Sequence, residues 1–322
     1  MKTRESELAS SEERAEERSG PPRAKILVIT GPTGSGKSAL ALELAVRTRG
    51  EVVNADSQQL VRGLDVGTAK PRAAERAAIP HHLLDLVAPG EAMDAARFVS
   101  LADSAIAGIE ARGRFPLVVG GTGLYLRALL HGVVAAPGRD PGLRTRLEAE
   151  AERLGRPALH SRLAAVDPEA AARINPRDLV RTVRALEIAA SGVRPSELYA
   201  AHAFRDERYR ATIVALDPSR EVLRARIDAR VASMFSGGLL EEARQLIEQG
   251  GGSLPRRLPI GYAEAAAAVR GTLPLGEAVR RVQVAHRRYA RRQLIWLRKE
   301  PGVRWLKPPY DVDALARCVE GG

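Results

Sequence analysis

The chain has 322 residues, 45% of them apolar, and a formal charge of +11. That is enough material for one large domain or two smaller ones. It contains no apolar run of about 18 residues, the length a membrane helix needs, and its charged start lacks the apolar stretch of a secretory leader. The single cysteine, Cys318, excludes an internal disulfide and any cysteine-built zinc site. A cytoplasmic protein without membrane contact is expected. The positive charge, mostly arginine, attracts polyanions such as nucleic acid. An overall bias towards arginine would give the same number, so clustering has to decide.

Residues 1–23 mix charges and small residues and are expected to form a disordered tail. Residues 25–30 (KILVIT) read as a buried strand, and residues 39–45 (ALALELA) as a helix. Between them stands GPTGSGKS, residues 31–38, which satisfies the phosphate-loop pattern G-x-x-x-x-G-K-[ST] in full. Its flanks supply the strand and helix that the pattern requires. The loop comprises Gly31, Pro32, Thr33, Gly34, Ser35, Gly36, Lys37 and Ser38. Its backbone N–H groups and the helix N-terminus form a cradle for phosphate. Lys37 can neutralise a terminal phosphate, and the Ser38 hydroxyl can hold Mg²⁺. The loop alone does not say which phosphate compound it holds.

A second strand covers residues 51–55 and ends at Asp56. In an open parallel sheet, ligands bind beyond the carboxyl ends of the strands, so Asp56 should face the crevice of the phosphate loop. Three jobs fit this carboxylate: Mg²⁺ binding, general base, or a local cap on Ser57 and Gln58. Helical spacing follows around Phe98, Leu101, Ala105 and Ile109. A third strand, residues 115–119, runs into the glycine-rich turn GGTG containing Thr122, which serves either a ligand or only a tight turn. A helix starts at Leu124. Another strand is predicted at residues 212–216. Strands alternating with helices imply a parallel sheet covered on both faces.

Between about residues 137 and 207 no strand signal appears. Helices are predicted over 143–154, 157–166, 168–174 and 178–190, an all-helical insertion in the α/β core. The expected division is a core over 24–136, the insertion over 137–207, and a second core segment over 208–322. Residues 219–300 read as mostly helical. Arg230 follows the last strand and either reaches back to the phosphates or pairs with Asp228 or Glu241. In residues 277–299, eight arginines and lysines crowd one segment bracketed by Glu277 and Glu300, with Val282, Ala285, Tyr289 and Trp296 as its apolar stripe. A helix with one packed face and a dense cationic remainder fits the phosphodiester backbone. His81 and His82 lack a third ligand at metal spacing.

The neighbours of the loop carry a resemblance. ADSQQLVRGLDVGTAKP (55–71), IPHHLLDLVAPGE (79–91), LVVGGTGLYLRALLHG (117–132), DPEAAARINPRDLVRTVRALEIAASG (167–192), RVASMFSGGLLEEA (230–243), IGYAE (260–264) and RRYARRQLIWLR (287–298) stand in this order. Over roughly residues 24–307 the chain resembles the tRNA dimethylallyltransferases, or tRNA isopentenyltransferases, of bacterial type.

The resemblance implies a P-loop NTPase-like core, with the helical insertion gripping the anticodon stem-loop. It implies transfer of a dimethylallyl group from dimethylallyl diphosphate to N6 of adenine 37, with release of pyrophosphate and with Mg²⁺ as cofactor, by a monomer. It casts Asp56 as the base, with Lys37, Arg230 and Thr33 on the diphosphate. It places Ser57, Gln58, Gln59, Thr122, Arg144, Val180, Arg181, Thr182, Val183, Arg184, Arg288 and Arg292 at the tRNA. Val61, Met93 and His286 depart from the residues common in the family. A small-molecule kinase, or a non-catalytic RNA-binding protein with the same loop, is the competing expectation.

Overall fold

The computed structural model describes residues 23–204 and 206–320. The expected tail lies outside the described residues except for Arg23, which opens the first strand. Among the described residues, six strands form one parallel sheet: β1 (Arg23–Thr30), β2 (Gly50–Asn54), β3 (His81–His82), β4 (Phe115–Val119), β5 (Tyr209–Leu216) and β6 (Val303–Leu306), in the order β3-β2-β4-β1-β5-β6. β1 is central, with Leu27 opposite Leu117 of β4 and Thr212 of β5. β3 and β6 went unpredicted because two or four residues carry too little periodicity to register.

The helices in chain order are α1 (Lys37–Thr48), α2 (Ala73–Ala78), α3 (Ala95–Ala111), α4 (Gly123–His131), α5 (Pro141–Leu154), α6 (Arg156–Val166), α7 (Pro168–Arg173), α8 (Leu179–Ala190) and α9 (Pro195–His202). They continue with α10 (Arg220–Ser236), α11 (Leu239–Gln249), α12 (Tyr262–Val269), α13 (Leu275–Leu297) and α14 (Val312–Glu320).

Alternation along β1 builds two cores. Leu27 and Ile29 face α1 and α14, packing with Leu40, Leu44, Val214 and Leu315. Ile26 and Val28 face the other way, with Phe98, Ile106, Leu126, Leu239 and Tyr262. Central strands buried on both faces read as continuous apolar runs, which is why 25–30 was legible.

The chain divides into two compact units: residues up to Leu130 with Glu207 onward, and His131–Asp206. Among the described residues of the second unit, every regular element is a helix. Leu147, Leu159, Leu163, Val183 and Leu186 form its core. Asp140, Asp167 and Asp178 each cap a helix N-terminus through a side-chain oxygen. No helix among the described residues is long and apolar enough to cross a membrane.

Candidate active site

The site forms where β1, β2 and β4 end. After β1 the chain turns through Gly31 at φ 138° and Gly36 at φ 100°, values that side-chain-bearing residues rarely adopt. After β4 it passes so close to β2 that a Cβ on Gly120 would lie 2.2 Å from the Ala55 carbonyl. Both glycine turns therefore exist to bring backbones together at one sheet edge. Beside them lies a cavity of about 240 Å³, whose lining includes Lys37, Ser38, Asp56, Gln59, Lys70 and Arg230.

Lys37 folds under its own loop and donates to the Gly31 and Pro32 carbonyls at 2.8 and 2.9 Å. Burial pulls its ammonium pKa down to about 8, partly offset by the Asp56 carboxylate, with Arg230 pressing in the same direction as burial. Arg230 extends from α10, its Nη1 3.5 Å from the Thr33 hydroxyl and its Nη2 3.5 Å from the Thr68 carbonyl. The competing ion pairs do not form: Asp228 binds Arg287 and Arg224, and Glu241 binds Arg244. The Nε of Arg230 is buried without a partner.

Asp56 is partly exposed. One carboxylate oxygen, Oδ1, accepts the Gln58 N–H at 3.0 Å. The local cap and the cavity position thus coexist. Asn54 fixes the turn, accepting the Asp56 N–H and donating to the Leu83 carbonyl. Thr122 accepts the Ser57 N–H at 2.9 Å and donates to the Ser57 hydroxyl at 3.2 Å, so the β2 and β4 turns share one rim.

No group of three or more His, Cys, Asp or Glu among the described residues is placed to hold a metal. A divalent ion would find one hydroxyl, Ser38, and two carboxylates, Asp56 and Glu75, on the cavity wall, and Glu75 already accepts the Arg72 N–H. Few hard oxygen donors, completed by phosphate and water, suit Mg²⁺.

A family model described as IPP transferase matches residues 59–300, and one described as isopentenyl transferase matches residues 24–85. The chain belongs to the IPP transferase family. A tRNA dimethylallyltransferase of Anaeromyxobacter sp. (strain Fw109-5) is 73% identical over 92% of this chain and 99% of its own length. A tRNA isopentenylpyrophosphate transferase structure from Bacillus halodurans is 36% identical, with TM-score 0.66 over 93% of this chain and 96% of its own. A eukaryotic dimethylallyltransferase, solved acting on tRNA, is 29% identical with TM-score 0.75, covering 92% and 78%. The fold is the P-loop NTPase-like α/β type of these IPP transferases, and the chain is a prenyltransferase of tRNA.

Within this IPP transferase, the remaining expected residues separate by environment. Gln58 accepts the Ile260 N–H through its side-chain oxygen, and Gln59 donates to the Ala69 carbonyl, so both amides brace loops. Arg144 forms a two-point ion pair with the buried Glu187, at 3.0 and 2.7 Å. Arg184 donates to the Pro137 carbonyl. Thr182 and Val183 are buried, while Val180 and Arg181 are exposed. Of the residues expected at the tRNA, Val180 and Arg181 are thus open to solvent, while the side chains of Arg144 and Arg184 are held within the helical unit. A helix buries one stripe, and Thr182, Val183 and Arg184 lie on or beside it.

The basic helix α13 is also thinned. Glu277 binds Arg280 and Arg281, and Arg287 binds Asp228. Arg288, Arg291 and Arg292 stay exposed. Arg292 lies over the Tyr289 ring at 5.6 Å. Tyr289 itself faces Asp56, Thr122 and Gln58, and burial first, then the Asp56 charge, holds its phenol above the usual range.

Gln293 is a residue of the site's framework that the sequence did not single out. From α13 it accepts the Thr33 N–H at 2.8 Å and donates to the Gly121 carbonyl at 3.0 Å, tying the two glycine turns together. Its place in the RRYARRQLIWLR motif, as an uncharged polar residue among arginines, was the available signal.

Proposed function

We infer that this enzyme transfers a dimethylallyl group from dimethylallyl diphosphate to N6 of adenine 37, beside the tRNA anticodon, and releases pyrophosphate. The observation that carries the reading is the meeting of Lys37, Ser38, Asp56 and Arg230 on one cavity wall at the sheet edge. The exocyclic amine is a weak nucleophile, because its lone pair is delocalised into the ring. The leaving group therefore needs the most help, and a cationic cradle supplies it. N6 attacks the allylic carbon as its bond to the diphosphate oxygen breaks, and that bonding pair leaves with pyrophosphate. Asp56 takes the N6 proton through the carboxylate oxygen that Gln58 leaves unoccupied.

Lys37, Arg230, the Thr33 hydroxyl and the loop N–H groups hold the diphosphate. Mg²⁺, held by the Ser38 hydroxyl, would supply further neutralisation of the diphosphate charge. The adenine must leave the anticodon stack to reach the cavity. Ser57 and Thr122 line its path, and Arg288, Arg292, Val180 and Arg181 meet the RNA. The enzyme acts as a cytoplasmic monomer. A kinase reading would have no use for the exposed arginines of α13.

The test is incubation of unmodified tRNA with labelled dimethylallyl diphosphate or labelled ATP, followed by nucleoside mass spectrometry. Dimethylallyl adenosine at position 37 is expected. Label arriving from ATP alone would overturn the reading.

A further inference from the structure

We propose that Arg226 is a second cation for the diphosphate, acting from the side of the loop opposite Arg230. The proposal rests on the diphosphate reading above. Arg226 precedes Arg230 by four residues on α10, so both project from one helix face towards the phosphate loop. They reach different parts of it. Arg230 meets Thr33, whereas Arg226 Nη1 lies 3.3 Å from the Ser35 carbonyl. The same Nη1 would stand 3.7 Å from a Cβ on Gly36, the residue that opens α1. Arg226 thus borders the N–H groups that form the cradle.

Its surroundings point to a ligand rather than to a structural pair. Arg226 is exposed. Arg224 and Arg287 share Asp228, but no carboxylate among the described residues ion-pairs with Arg226. Its neutral neighbour at the loop is Tyr310, whose hydroxyl hydrogen-bonds with the Arg226 guanidinium and donates to the same Ser35 carbonyl at 3.4 Å. A guanidinium has five donors in a planar fork, so one N–H can stay on Ser35 while others meet phosphate oxygens. Arg230 lines the cavity, whereas Arg226 stands outside that lining, exposed at the Ser35 end of the loop. Together they would bracket the diphosphate as it gains charge on departure.

Calorimetric titration of inorganic pyrophosphate into the full chain tests this, using wild type, Arg226→Ala, Arg226→Lys and Tyr310→Phe. Arg226→Ala is expected to weaken pyrophosphate roughly 10- to 100-fold, the scale of a charge-assisted contact. The KM for dimethylallyl diphosphate should rise with it, with the KM for tRNA unchanged. Arg226→Lys should recover part of the loss, and Tyr310→Phe should stay within about threefold of wild type, since a neutral hydrogen bond contributes little net free energy. Unchanged affinity in Arg226→Ala overturns the proposal. So does an equal loss in Tyr310→Phe, which would make both residues mere braces of the Ser35 carbonyl. Wild type that neither binds pyrophosphate nor transfers the prenyl group would instead overturn the functional reading.

Discussion

Lys37 and Asp56 face each other in the site with unequal freedom. The Lys37 ammonium rests on two loop carbonyls, and burial brings its pKa to about 8. Diphosphate binding favours the protonated form, so below pH 8 the group is ready and above it a proton must be taken up. Pyrophosphate affinity should therefore fall above pH 8, by up to about tenfold per pH unit. Lys37→Arg should lack that slope, because its guanidinium stays charged; equal slopes in titrations from pH 6.5 to 9.5 would remove Lys37 from the linkage. Asp56→Ala should lower the single-turnover rate by about 10²-fold or more, with tRNA affinity nearly unchanged. An unaltered rate would take the base role from Asp56. These residues were legible in the sequence because motif and strand end place them. Arg230 was only half legible, since spacing alone did not separate phosphate contact from pairing with Asp228.

At the scale of elements, α13 does two things with opposite faces. Its buried face carries Val282, Ala290 and Leu297, together with His286 and Gln293. Gln293 joins the turns after β1 and β4, so Gln293→Ala should raise the KM for the prenyl donor several-fold while the fold persists. Steady-state kinetics with tRNA saturating would show it; an unchanged donor KM would mean the turns hold without the tie. The outward face carries Arg288 and Arg292. Neutralising both should weaken tRNA binding and reduce the slope of log affinity against log salt by about 1.5. A slope equal to wild type would place the phosphate contacts elsewhere. The cationic character of α13 was readable from composition. Which arginines are free was not, because Asp228 lies 59 residues before Arg287 in the chain.

The whole molecule combines a sheet that builds the site with a helical unit that has its own core and its own buried charge. Glu187, on α8, is almost fully enclosed and accepts from Arg144 at two points, with Arg184 at 3.5 Å. Glu187→Ala would leave two guanidinium groups without their counter-charge. It should destabilise the helical unit by about 2 to 4 kcal/mol, since removing one partner of a buried pair strands the other. Urea unfolding followed by helical circular dichroism measures it, and a midpoint like that of wild type would contradict the assignment. The helical period of this unit was readable from the sequence, whereas the pairing of Arg144 and Arg184 with Glu187 was decided by packing.

The sequence by itself determined the phosphate loop, the strands through the middle of the sheet, the helical insertion and the family. Each is written locally, in a motif, an apolar run or a period. Only the tertiary structure decided the sheet order that sets Asp56 beside Lys37 and Thr122 beside Ser57. It also decided the freedom of Arg230 and Arg226, the tie made by Gln293, and the capture of Arg144 by Glu187. These depend on pairs 43 to 260 residues apart. A charge or an amide does not carry its partner's address in its own sequence neighbourhood. Burial and hydrogen-bond satisfaction assign that partner once the backbone has closed.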